Sequence, residues 1–169
     1  GKTILSTAII EDLSSIVSTN PAATNGQPRN EVVYFYFNAQ MLGKQSYCDA
    51  LRAMAIQIAE ALRNDTEMID LVSILMIRDD GGRSIASDDD LMEFLLLSFR
   101  RFSSLALILD GIDECRDFER MWPFLSTACM DKRIKCLILG RPLVKIPSEN
   151  AHLVLRQSLI GMNEQDICN

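Results

Sequence analysis

The segment Leu105-Ala106-Leu107-Ile108-Leu109-Asp110-Gly111-Ile112-Asp113-Glu114-Cys115 constrains the fold of this chain more than any other. Five apolar residues run from Leu105 to Leu109 with no polar alternation. A run so short reads as a strand buried on both faces, the kind found in a parallel sheet covered by helices. Carboxylates then arrive abruptly at Asp110, Asp113 and Glu114, and Gly111 lets the backbone turn as it leaves the strand. Acidic groups are thus expected at the carboxyl end of a central strand, the edge where open α/β sheets bind ligands. Carboxylates delivered there suit a divalent metal ion and a polarised water.

A phosphate cradle is the natural counterpart, and Gly1-Lys2-Thr3 matches the last three positions of the pattern G-x-x-x-x-G-K-[ST]. In that motif backbone N–H groups and a helix N-terminus hold phosphate oxygens. Lys2 would reach the β- and γ-phosphates, and the Thr3 hydroxyl would ligate Mg²⁺. A helix must follow, and Leu5, Ala8, Ile9, Leu13, Ile16 and Val17 recur at helical spacing from about Thr3 to Val17.

With 169 residues the chain can build one domain with a sizeable core. Its net charge of −6 and scattered basic pairs argue against a nucleic-acid surface. No apolar stretch is long enough to span a membrane. The five cysteines, Cys48, Cys115, Cys129, Cys136 and Cys168, lack C-x-x-C spacing and read as buried free thiols in a reducing, cytoplasmic compartment. Cys115 is expected to be inert, because nearby carboxylates disfavour a thiolate. The only histidine, His152, reads as a strand residue with a local hydrogen bond, and zinc is not expected.

Helices and strands alternate along the chain. Ser18 to Asn30 reads as a loop and Val32 to Phe37 as a buried strand ending at Asn38. Ser46 is placed to cap a helix with a core stripe of Tyr47, Ala50, Leu51, Met54, Ala55, Ile58 and Leu62. A short helix is expected from Asp65 to Ile77, broken by Asp79-Asp80-Gly81-Gly82. Ser87 to Asp90 resembles a helix start, its acidic run a solvated first turn, with a largely buried helix from Leu91 to Phe102 behind it. Between Arg116 and Met130 either the helix begins near Trp122, with Pro123 in its first turn, or it kinks there. Strands are expected at Ile134 to Leu139 and Leu153 to Leu155, and a last helix begins at Asn163 to Asp166. The alternation predicts a parallel, three-layer sheet with right-handed crossovers.

These residues resemble the NACHT domain of the STAND class of P-loop NTPases, particularly the fungal NOD-like receptor type. Gly1-Lys2-Thr3 looks like the tail of Walker A, and Leu105 to Cys115 is similar to the extended Walker B of that family. Val32 to Asn38 resembles its aromatic-rich second strand, and Leu137 to Pro142 its sensor-1 strand. The family usually has Ser or Thr before the sensor arginine, where Gly140 stands here. The resemblance implies a three-layer P-loop NTPase fold over residues 1–157, with 158–169 starting a following helical domain. The first P-loop glycine and the strand before it are not in the sequence. In the family that strand lies inside the sheet, so a fragment of a longer protein is expected.

The roles implied are specific. Gly1, Lys2, Thr3 and Arg141 would bind the nucleotide, and Thr3 and Asp110 would hold Mg²⁺. Asp113 would orient or activate the attacking water, with Glu114 assisting. The function implied is a switch that binds ATP or GTP, hydrolyses it slowly, and self-associates in the triphosphate form. Flanking effector and repeat domains, of ankyrin or WD40 type, would be its partners, in signalling of innate-immunity or programmed-cell-death type. An ordinary catalytic P-loop ATPase or kinase, or a degenerate scaffold that does not hydrolyse nucleotide, is the alternative.

Overall fold

The computed structural model describes residues 2–19, 29–70 and 86–141. In chain order they form α1 (Lys2–Thr19), β1 (Arg29–Tyr36), α2 (Tyr47–Ala61), α3 (Asp88–Phe99), β2 (Phe102–Asp110), α4 (Met121–Cys129) and β3 (Ile134–Leu139). Single 3-10 turns at Ile112–Glu114 and Phe118–Arg120 join β2 to α4. The sheet is parallel in the order β1-β2-β3, so the acidic strand is central, as its unbroken apolar run demands. The expected α/β architecture is therefore present. The expected Leu153–Leu155 strand, the last helix, the boundary at residue 157, His152, Cys168 and the Asp79–Gly82 break lie outside the described residues.

Side-chain alternation sorts the two faces of the sheet. Val33, Phe35 and Phe37 of the first strand segment join Leu105, Leu107 and Leu109 of β2 in one cluster with α2 and α3. Phe99, Phe102 and Phe124 are fully buried in it, and each such side chain contributes about 1.5–3 kcal/mol. On the other face lie Tyr36 and Asp110, partners across the β1–β2 ladder, and there α1 meets the sheet.

Local signals set the helix starts. Ser46 and Ser87 each accept a hydrogen bond from the backbone N–H three residues on, while Asp49 and Asp90 reach back to the serine N–H. These reciprocal capping boxes are each worth about 1 kcal/mol. Pro123 lies in the first turn of α4, where its missing N–H breaks no helical bond, so the helix is not kinked. Gln57 of α2 covers the outer edge of β1: its amide accepts from Tyr34 N at 3.1 Å and donates to Tyr34 O at 2.8 Å. A paired edge residue is closed to another strand.

Three expectations shift. The first strand begins at Arg29, and Phe102 opens β2 instead of closing α3. In α1 the buried line is Ser6 and Ile10, one turn apart, not the apolar stripe. Leu5 and Ile16 are exposed, at 37% and 58%, because the helix turns its hydroxyl-bearing face to the strand that carries Asp110. Among the described residues no helix is long and apolar enough to cross a membrane.

Candidate functional site

The carboxyl edge of the sheet gathers the acidic turn, the end of β3 and the first turn of α1. Asp110 closes β2 and is only 4% exposed. Its Oδ2 accepts a hydrogen bond of 2.8 Å from the hydroxyl of Ser6, which is fully buried. The Ser6 hydroxyl also lies 2.9 Å from the carbonyl of Thr3, which accepts from Thr7 Oγ1 at 2.9 Å as well. Thr7 and the Tyr36 hydroxyl are 3.3 Å apart, which ties the same turn to the end of β1. Thr3 itself is exposed in the first turn of a helix with no acidic residue there, an end that favours anions. Gly1 and the Lys2 side chain lie outside the described residues.

Gly111 makes the acidic turn possible. Its φ is +72°, and a Cβ on it would lie 2.9 Å from the carbonyl oxygen of Phe37. Phe37 N donates to Asp110 O at 2.8 Å, so the ladder runs up to the turn and leaves no room for a side chain. The turn then splits its two carboxylates. Glu114 reaches the loop after β1 and accepts from Ala39 N at 3.0 Å. Asp113 faces β3: Oδ1 accepts from Arg141 N at 3.0 Å, and Oδ2 lies 3.3 Å from the Arg141 guanidinium. The structure therefore sets Asp113 and Arg141, read from the sequence as a water-orienting acid and a phosphate sensor, directly on one another.

Gly140 is explained by the same contact. A Cβ there would lie 2.6 Å from Cγ2 of the buried Ile112 and 3.2 Å from Asp113 Oδ1. Absence of a side chain lets β3 approach the acidic turn closely enough for Arg141 to pair. Behind the turn, Gln45 O accepts from Arg116 N at 2.9 Å, and Asp117 Oδ1 accepts from Tyr47 N at 2.7 Å. The segment after the acidic cluster is thus pinned to the N-terminus of α2.

Among the described residues no group of three or more His, Cys, Asp or Glu side chains could hold a metal by itself. The donor set still fits Mg²⁺, which takes one or two protein oxygens and completes its shell with water and substrate phosphates. Asp110 supplies one such hard oxygen, and the exposed Thr3 in the first turn of α1 carries another.

The described thiols differ in the environments that set their acidity. Cys48, Cys115, Cys129 and Cys136 are free and half-buried. Burial first, and then the Asp117 carboxylate, push the Cys115 thiol up to about 12, so it stays protonated at neutral pH. The expected inertness has burial as its main cause. Cys129 moves the other way, because the Cys136 thiol hydrogen-bonds to it. Iodoacetamide at pH 8 is expected to label Cys129 well ahead of Cys115, since the thiolate is the nucleophile. Peptide mass spectrometry of timed quenches checks this; equal rates at the two would contradict it.

The sequence matches the family described as Nephrocystin 3, N-terminal, over residues 1–141. Comparison with curated proteins and with solved structures gave no match.

Proposed function

The chain belongs to the Nephrocystin 3 N-terminal family, and from its sequence motifs and the geometry of the site we propose that it is the nucleotide-binding part of a P-loop NTPase switch of NACHT type. One observation carries the reading. A buried aspartate at the carboxyl end of the central strand is hydrogen-bonded to Ser6, one turn into the helix that Gly1-Lys2-Thr3 opens. A P-loop site requires those two parts side by side, one for phosphate and one for its counter-cation.

In this reading Lys2 and the N-terminal N–H groups of α1 bind the phosphates of ATP or GTP. Thr3 and Asp110 would hold Mg²⁺, which when bound neutralises charge on the phosphate oxygens. Asp113 orients the attacking water, and Arg141 binds the terminal phosphate. The pairing of these two supports a switch over a fast enzyme. With its carboxylate held by Arg141, Asp113 is a restrained base, and a terminal phosphate competes for the same guanidinium. Glu114, bonded to Ala39 N, serves the geometry of the turn. Oligomerisation in the triphosphate form, and effector and repeat domains of ankyrin or WD40 type as partners in cytoplasmic signalling, belong to the same proposal.

The full-length protein, purified in Mg²⁺ buffer, is expected to carry stoichiometric nucleotide. Denaturation followed by ion-exchange chromatography of the released bases measures it and identifies adenine or guanine. Protein that is free of nucleotide, and that takes up neither ATP nor GTP on addition, would favour the degenerate scaffold. Turnover that rises with protein concentration separates a self-associating switch from an ordinary catalytic NTPase.

A further inference from the structure

Ser6 has no place in the Gly-Lys-Thr motif, yet it makes the one side-chain hydrogen bond to Asp110 seen among the described residues. It is a polar residue with no exposed surface, on a helix whose apolar residues Ile4 and Ile16 are 75% and 58% exposed. Burying a hydroxyl while leaving isoleucines in water is unfavourable unless the hydroxyl gains strong partners. Its single proton has two acceptors within reach, Asp110 Oδ2 at 2.8 Å and the Thr3 carbonyl at 2.9 Å, and the charged carboxylate is the stronger of the two.

We propose that Ser6 is the positioning residue for the Asp110 carboxylate. This rests on the nucleotide-site reading above. Its bond to Oδ2 fixes the rotation of the carboxylate, and so decides which oxygen is left for a cation. The hydroxyl also lies 2.9 Å from the Thr3 carbonyl, so its one proton is shared between the first turn of α1 and the end of β2. The phosphate half and the cation half of the site, separated by 104 residues in sequence, are joined through this one side chain. Partners that orient a metal-ligating carboxylate affect metal affinity without touching the metal.

The test is a Mg²⁺ titration of fluorescent ATP and GTP analogue binding, with binding in EDTA measured alongside. Ser6→Ala is expected to raise the Mg²⁺ midpoint by about 10- to 100-fold. Its binding in EDTA should stay within about twofold of wild type, because Lys2 and the backbone N–H groups are untouched. Ser6→Thr, which keeps the hydroxyl, should return the midpoint most of the way to wild type. Ser6→Cys fills the space with a poor donor and carries the expectation of Ser6→Ala if that variant does not fold. An unchanged midpoint overturns the proposal. So does a parallel loss of binding in EDTA, which would mean that Ser6 only supports the helix. Wild-type protein that binds neither analogue removes the nucleotide reading and this proposal together, whereas wild-type binding with an unmoved Ser6→Ala midpoint removes this one alone.

Discussion

In the full-length protein Lys2→Ala is expected to weaken nucleotide binding by about 100-fold or more, because a charge-assisted contact to the β- and γ-phosphates is lost. Asp113→Asn is expected to keep binding and lose turnover, by about 100-fold, the scale on which a positioned acid–base group contributes. The structure makes this comparison clean. The substituted side-chain amide still offers an oxygen to Arg141 N, and the ion pair that is lost involves a guanidinium that is 69% exposed. The Asp113 side chain is itself only 12% exposed, so thermal unfolding of the variant is measured beside its turnover to separate lost folding from lost chemistry. If the triphosphate form is the assembling one, Asp113→Asn accumulates as oligomer, since a ligand shifts an equilibrium through its preference for one state. Asp110→Ala should instead resemble Lys2→Ala through loss of the cation. Retained-nucleotide assays and size-exclusion chromatography on the three variants decide the matter. Nucleotide lost as completely from Asp113→Asn as from Lys2→Ala would overturn the division of roles; binding without assembly would overturn the switch.

Gly111→Ala should give the largest loss of stability of any glycine substitution in the described residues, about 3 kcal/mol. The left-handed backbone costs about 1–2 kcal/mol for a residue with a Cβ. The remainder comes from a contact of 2.9 Å with the Phe37 carbonyl, a backbone group inside the sheet that has nowhere to go. For a chain of 169 residues this lowers Tm by about 6–12 °C. Gly43 is the control: its φ of +77° is equally left-handed, but nothing lies within 4 Å of the added Cβ. Gly43→Ala should therefore cost about 1 kcal/mol or less, the backbone penalty offset in part by a stiffer unfolded chain. Thermal unfolding followed by circular dichroism compares them. Equal shifts for the two would show that close approach to Phe37 is not what holds Gly111 in place.

The amino-acid sequence by itself determined the parts of this protein whose causes lie within a few residues. An unbroken apolar run placed β2 at the centre of a parallel sheet. Serines three residues ahead of Asp49 and Asp90 started α2 and α3. The Asp-Gly step after Leu109 marked the turn that carries the acidic residues. Each follows from bonds that close locally, so a short window contains both partners. Only the tertiary structure decided which face of α1 is buried. Helical spacing pointed to Leu5, Leu13 and Ile16, but the strand end opposite α1 bears a carboxylate, and a hydroxyl face satisfies it where an apolar face would leave it bare. It also decided that Arg141 rests on Asp113 and that Gly140 must lack a side chain, because both depend on how closely β3 approaches the turn after β2. Gln57 reads from sequence as an ordinary helix residue, and becomes the cover of a sheet edge only once α2 lies along β1. Such contacts are set by the register of elements distant in sequence, and no local window holds that information.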